Sequence, residues 1–357
     1  MSTILIKDSL RASVEAASGG AQTVLYTAKG QPTFMNIIQK YDMSTIGSSF
    51  VGTHPAFIID GVEKSQLFIG TYEGVVRNGE LLSLPNQSFA QISFQAGISA
   101  CLSNGAGHHL MTCAEWGAVA LPVFKSGVMP KGNSYYGRSA TDATQHGRRA
   151  DGLSPNAGVT TGNPWILTGS GPLSFRHNNK YNGISDLVGN ARTMLTGVRI
   201  VYGEIQVIPN NNGALSTIDL TAASSEWRAI DGRTGDLIVP NGSGTTPYSV
   251  RFGNVGSTDP YTLVGGSFRY LGQASSAYPV SEAALNRLKI LDLFPIDQTA
   301  ASIGGYQLIL SSADGIISRG GHYADGAGQE SIHSIRLGDN RSTPSVYNGV
   351  RPAYYQP

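Results

Sequence analysis

Glycine interrupts this chain too often for a fold built on long helices. Forty-five of its 357 residues are glycine. An interior glycine costs a helix or strand roughly 0.5–1 kcal/mol relative to alanine, so glycines collect in turns and at close backbone approaches. Between them lie short apolar runs bounded by proline, asparagine and more glycine, the pattern of strands and tight turns. The expected class is α+β with long loops rather than a helix bundle. Charged residues make up 14% and the net charge is +1. A nucleic-acid protein needs a basic face, and a disordered chain needs high charge with little apolar content, so both classes are disfavoured.

The length allows two or three domains at roughly 100–200 residues each. No apolar run approaches the roughly 20 residues of a membrane span, so no membrane insertion is expected. The start, Met1-Ser-Thr-Ile-Leu-Ile-Lys-Asp, lacks the pattern of a signal peptide. Synthesis and folding in a cytoplasm follow as the expectation. Cys101 and Cys113 are the two cysteines. They could pair, which sequence does not show, and no Cys-x-x-Cys metal spacing exists.

Residues 1 to about 45 read as a short leader with strands, among them Thr23-Val-Leu-Tyr-Thr. Asn36-Ile-Ile-Gln-Lys-Tyr is ambiguous. Ala56-Phe-Ile-Ile, Gln66-Leu-Phe-Ile-Gly-Thr-Tyr and Gly74-Val-Val-Arg follow as strands, and Asn78-Gly79 marks a hairpin turn. Residues 1–95 thus form a small, mostly β segment for attachment or oligomerisation, and 96–357 a second domain. Phe89 to Leu102 carries apolar residues at helical spacing. Thr112 and Glu115 have capping-box spacing, and Pro122 is expected to disturb or end that helix. Residues 126–182 are polar, glycine-rich and long, a length of loop that is usually functional or held by a scaffold. Thr196 to Ile208 reads as two strands turned at Tyr202-Gly203. Residues 210–265 form another polar insertion. Ser281 caps a helix through Leu291.

The last forty residues set fixed-looking positions (Gly320, Gly321, Gly326, Arg341, Gly349, Arg351, Pro352) between polar and aromatic ones. His322, Asp325, Gln329, Glu330, His333, Arg336, Asp339, Ser345, Tyr347 and Asn348 have no periodic reason to be core. A rigid frame that displays varied side chains suits a binding face. The plainer reading is a glycine-rich hairpin that closes a domain.

Five segments in order carry a resemblance: Gly107-His-His-Leu-Met-Thr-Cys-Ala-Glu-Trp, Pro130-Lys-Gly-Asn-Ser-Tyr-Tyr-Gly-Arg, Leu167-Thr-Gly-Ser-Gly-Pro-Leu-Ser-Phe-Arg-His, Gly183-Ile-Ser-Asp-Leu-Val-Gly-Asn, and Arg319-Gly-Gly-His-Tyr with Arg341-Ser and Gly349-Val-Arg-Pro-Ala-Tyr. Together they resemble C-type-lectin-fold proteins of the formylglycine-generating-enzyme type. Within that set they look most like phage receptor-binding proteins similar to the major tropism determinant, a family often diversified by a reverse-transcriptase element. The resemblance spans roughly 95–357 and is weaker over 20–95. It departs at Ala191-Arg-Thr-Met-Leu, where the relatives usually carry a Trp-Glu-Trp-like segment.

The resemblance implies a C-type-lectin-like domain with long loop insertions. It also implies a virion protein at a tail tip or fibre end, made in the host cytoplasm. The implied partners are a bacterial surface receptor, protein or glycan, and other tail proteins, with a homotrimer as the assembly. The implied binding positions are His322, Ala324, Asp325, Gln329, Glu330, His333, Arg336, Asp339, Asn340, Ser345, Val346, Tyr347 and Asn348.

Catalysis is the less expected activity, and no cofactor is expected. An oxidase of the formylglycine-generating type needs an activated thiolate late in the domain, and no cysteine follows Cys113. No Gly-x-Ser-x-Gly elbow or Gly-Lys-Ser/Thr phosphate loop is present. His322 and His333 with Asp325 and Glu330 could be drawn as acid and base, and equally as a recognition surface. Asp325, Glu330 and Asp339 could gather around calcium, though no ligand spacing shows it. His108-His109 is expected to be structural. The alternatives to receptor binding are a structural tail or decoration protein and a surface-glycan-degrading enzyme.

Overall fold

The computed structural model describes residues 8–156, 159–300 and 303–357. The expectation for residues 1–7 therefore lies outside the described residues. The fold is mixed, mostly sheet, with four α-helices among the described residues.

One sheet has five antiparallel strands in the order Gln22–Tyr26, Pro32–Gln39, Gln66–Gly70, Pro352–Tyr354 and His108–Leu110. It joins strands from both sides of the boundary expected at residue 95. The second sheet is built around the long strand Arg192–Val201. Glu204–Val207 turns back on one side of it and Gly315–Arg319 pairs on the other, followed by Ile335–Asp339 and Tyr306–Leu308. The short strand Asn348–Gly349 runs parallel to the start of Arg192–Val201. The chain's last segment thus lies along one sheet and then enters the other.

Local rules explain most elements. Asn78 and Gly79 take positive φ of 51° and 79° between Gly74–Arg77 and Glu80–Ser83, the geometry of a tight hairpin turn. Tyr202 and Gly203 do the same at 46° and 92°. Thr112 and Glu115 form the full capping box at the head of the helix Cys113–Ser126. Ser281 caps Glu282–Ile290, its hydroxyl accepting from the Ala284 N–H at 3.2 Å.

Two expectations are corrected. The start of the chain holds a helix, Ser9–Ser18, capped by Asp8 and closed by Gly19 in the left-handed region. Pro122 does not end its helix, which runs on to Ser126. Proline removes the N–H that would bond the carbonyl four residues back. That carbonyl, of Ala118, instead accepts from the Tyr41 hydroxyl at 3.2 Å.

The helix Cys113–Ser126 is buried on almost every side, as a helix apolar all round must be. Trp116 and Val119 join Leu67 and Ile69 of the first sheet and Leu195, Val198 and Ile200 of the second in one core. Gly117 lets the helix Glu282–Ile290 come close, since a Cβ there would sit 2.3 Å from the Ile290 carbonyl oxygen. Cys101 and Cys113 are both free and buried. His109 binds Glu115 at 2.7 Å inside the core, a structural role, whereas the buried Nδ1 of His108 has no hydrogen-bond partner among the described residues.

Candidate binding site

Two guanidinium groups hold the ends of the C-terminal segment. Arg319 is fully buried, bonds the Asp292 carbonyl at 2.6 Å and its carboxylate, and lies over the rings of Trp116 and Phe268. Arg351, also fully buried, donates to the carbonyls of Gly70, Ser185 and Asp186 at 2.8–3.1 Å. Gly320 takes φ of +89°, and a Cβ there would lie 2.1 Å from the Leu187 carbonyl oxygen. Asn190 fixes the neighbouring loops. Its side-chain oxygen accepts from the Ile166 N–H at 2.7 Å and from Asn133 at 3.1 Å, and its amide donates to Glu73.

Between those anchors lies a cleft of about 720 Å³. Nine of the thirteen expected positions line it: His322, Ala324, Asp325, Arg336, Asp339, Asn340, Ser345, Tyr347 and Asn348. Val346 is exposed beside it. Gln329 belongs to the short turn Ala327–Gln329, away from the cleft lining. Glu330 accepts from the N–H groups of Gly132 and Thr141, which pins it over a separate depression of about 460 Å³. His333 is displayed on no face. It is 1% exposed, bonded through Nδ1 to Asp292 at 2.9 Å and packed on Phe124. Asp292 is 41 residues away in sequence, so periodicity within the last segment gave no sign of this burial.

Inside the cleft, His322 and Asp325 act as a rigid unit. His322 Nδ1 accepts from the Ala324 N–H at 2.9 Å, so the ring proton sits on Nε2, 3.1 Å from Asp325. Burial, helped by Arg192 and Arg336, lowers His322 to about 3. Asp325 accepts from Arg192 at 2.6 Å and from the His322 N–H at 2.8 Å. Burial pushes its carboxyl above the ordinary range, and Arg192 only partly offsets this. With both ring nitrogens engaged, His322 has no free lone pair with which to act as a base. Arg336 bonds Asp339 and Gln307, while Asp339 also accepts from Ser318 at 2.8 Å and Asn348 at 3.3 Å.

The Tyr347 ring stacks on His322 with centroids 4.3 Å apart and planes 22° apart, and it remains 42% exposed. Tyr323, Tyr136 and Trp165 continue the ring cluster. Among the described residues no group of three or more His, Cys, Asp or Glu is placed to hold a metal ion. Asp325, Glu330 and Asp339 do not meet, because Glu330 lines the other depression.

Tyr136, Arg192, Gln307, Ile309, Gly338, Thr343 and Pro344 also line the cleft and are absent from the expected set. Arg192 carried a signal, a cation at the head of a strand that also holds Met194, Leu195, Val198, Ile200 and Val201. So did Tyr136, one of three tyrosines in the long glycine-rich loop of residues 126–182, which takes a left-handed φ of 49°. No protein-family model matches the chain, and a search of curated proteins finds no match.

Proposed function

We propose that the chain is a receptor-binding protein carried at the tail tip or fibre end of a phage, with a C-type-lectin-like fold and a homotrimeric assembly. It recognises a bacterial surface receptor through the cleft and rim of residues 319–349. The observation that carries this reading is a pre-organised cleft built mainly from one segment. Its floor of Arg192, His322 and Asp325 is locked by mutual bonds, and its rim of Asn340, Val346 and Tyr347 is open to solvent. Rigid support beneath exposed aromatic and polar side chains lowers the ordering cost of binding. The engagement of both His322 nitrogens favours recognition over acid–base turnover. Repeated copies on one particle would raise apparent affinity roughly 10²–10⁴-fold through avidity.

Binding of the labelled protein to bacterial cells, with competition against phage adsorption, tests the proposal. Saturable binding that blocks adsorption is the expected result, and Tyr347→Ala should weaken it about tenfold while thermal unfolding stays unchanged. Adsorption by that variant equal to wild type would remove this face from consideration.

A further inference from the structure

We infer that the C-terminal cleft takes a neutral glycan, one sugar ring lying against Tyr347 and its hydroxyls meeting the paired arginine and aspartate side chains, without a bridging calcium ion. This rests on the receptor-binding reading and names the chemistry of the receptor.

Shape is the first argument. A concavity of about 720 Å³ lies within the roughly 300–1,000 Å³ of small-ligand sites. A protein receptor is met instead by a broad patch of roughly 800 Å² per partner.

Charge is the second. The lining holds two cations, Arg192 and Arg336, and two anions, Asp325 and Asp339. Each cation contacts one of the anions, so the cleft carries no net formal charge. An anionic ligand would have to displace an aspartate from its arginine, and a cationic one the reverse. A hydroxyl group both donates and accepts. The Arg336–Asp339 pair sets donors and acceptors side by side, which matches neighbouring hydroxyls on a ring and matches neither a phosphate nor an ammonium group. Asn340 and Ser345 extend the same neutral hydrogen-bonding surface.

The aromatic wall is the third. Tyr347 is backed by His322, which is itself held by the Ala324 N–H and Asp325. The tyrosine is therefore a supported platform with 42% of its surface still exposed. An electron-rich ring face attracts the weakly positive C–H bonds of a pyranose. Among the described residues no group of three or more His, Cys, Asp or Glu is placed to hold a metal ion, and the inferred recognition is by direct contacts.

The experiment uses the full-length labelled protein on a panel of bacterial strains, first to find one that it binds saturably. Cells of that strain are then treated with periodate, which cleaves neighbouring diols, or with protease, and binding is also measured with a chelator present. Loss of binding after periodate, with persistence after protease and chelator, is the expected result. Tyr347→Ala should weaken binding about tenfold and Tyr347→Trp should retain it. Binding that survives periodate, or is lost with protease, overturns the glycan assignment while receptor recognition stands. Loss with chelator overturns the metal-free contact. Failure to bind any strain defeats the receptor reading, and this inference with it.

Discussion

Replacing Asn190 should disable the scaffold of the cleft, and by a calculable amount. Asn190 is fully buried and takes a left-handed φ of 59°. Its side chain accepts from the Ile166 N–H and from Asn133, and donates to Glu73 and to the Ile166 carbonyl. Its backbone bonds Asn133 and Tyr323. Asn190→Ala leaves the Ile166 N–H and one Glu73 oxygen without their partner, at roughly 1–3 kcal/mol for each buried group. Alanine, unlike asparagine, has no short polar side chain to favour the left-handed region by local hydrogen bonding, which adds about 1 kcal/mol. The expected loss is about 3–7 kcal/mol, a large share of the roughly 5–15 kcal/mol that holds a domain together. Asn190→Gly removes the same side-chain bonds without the backbone penalty, so it should be about 1 kcal/mol more stable than the alanine variant. Urea unfolding of the three proteins measures both quantities. An alanine variant that loses less than about 1 kcal/mol, or a glycine variant worse than alanine, would refute the reasoning.

Two further outcomes are expected. His54, His108, His177, His322 and His333 are held at about 3 or 4 by burial, against an ordinary 6.5. The unfolded chain takes up these protons as pH falls through 6.5 and the native chain does not, so histidine-linked stability is lost from pH 6.5 toward 4. Burial raises Glu73, Asp186 and Asp325; their contribution is fully present below the ordinary carboxylate values and lost as pH rises through the native ones, opposing the histidines. His54→Gln should reduce the slope of unfolding free energy between pH 6 and 5 by up to about 1.4 kcal/mol per pH unit, and an unchanged slope would contradict it. Burial pushes the Cys101 and Cys113 thiols up, Cys113 to about 12, so a thiol-reactive dye should label neither in the native protein and both in denaturant. Rapid native labelling would show that this core opens.

Features set by neighbours in sequence were legible. The Thr112–Glu115 cap, the Asn78–Gly79 hairpin and the Tyr202–Gly203 turn each depend on a few adjacent residues, and each was read from them. Features set by distant partners were not. Pro122 is tolerated because Tyr41 supplies a hydroxyl to the carbonyl that proline abandons. His333 is drawn inward by Asp292, and Glu330 is held elsewhere by Gly132 and Thr141. Most of the cleft was visible in the last forty residues because one continuous segment supplies it. Arg192 and Tyr136 enter from other parts of the chain, and only the assembled sheet and loops bring them there. The helix Ser9–Ser18 departs from the expected strand-bearing leader although Asp8 and Gly19 mark its ends; it is a short helix of ten residues whose one buried residue is Ser18.

The position of Pro352–Tyr354 between Gln66–Gly70 and His108–Leu110 imposes a waiting time during synthesis. The two flanking strands leave the ribosome about 240 residues before the strand that joins them. At roughly 5–20 residues per second, their inner edges stay unpaired for on the order of 12–50 s. Open strand edges invite pairing with other chains. The nascent protein therefore passes through an interval in which it is sticky, and slower translation or crowding of identical chains would lengthen or exploit that interval before the last strand zips the sheet shut.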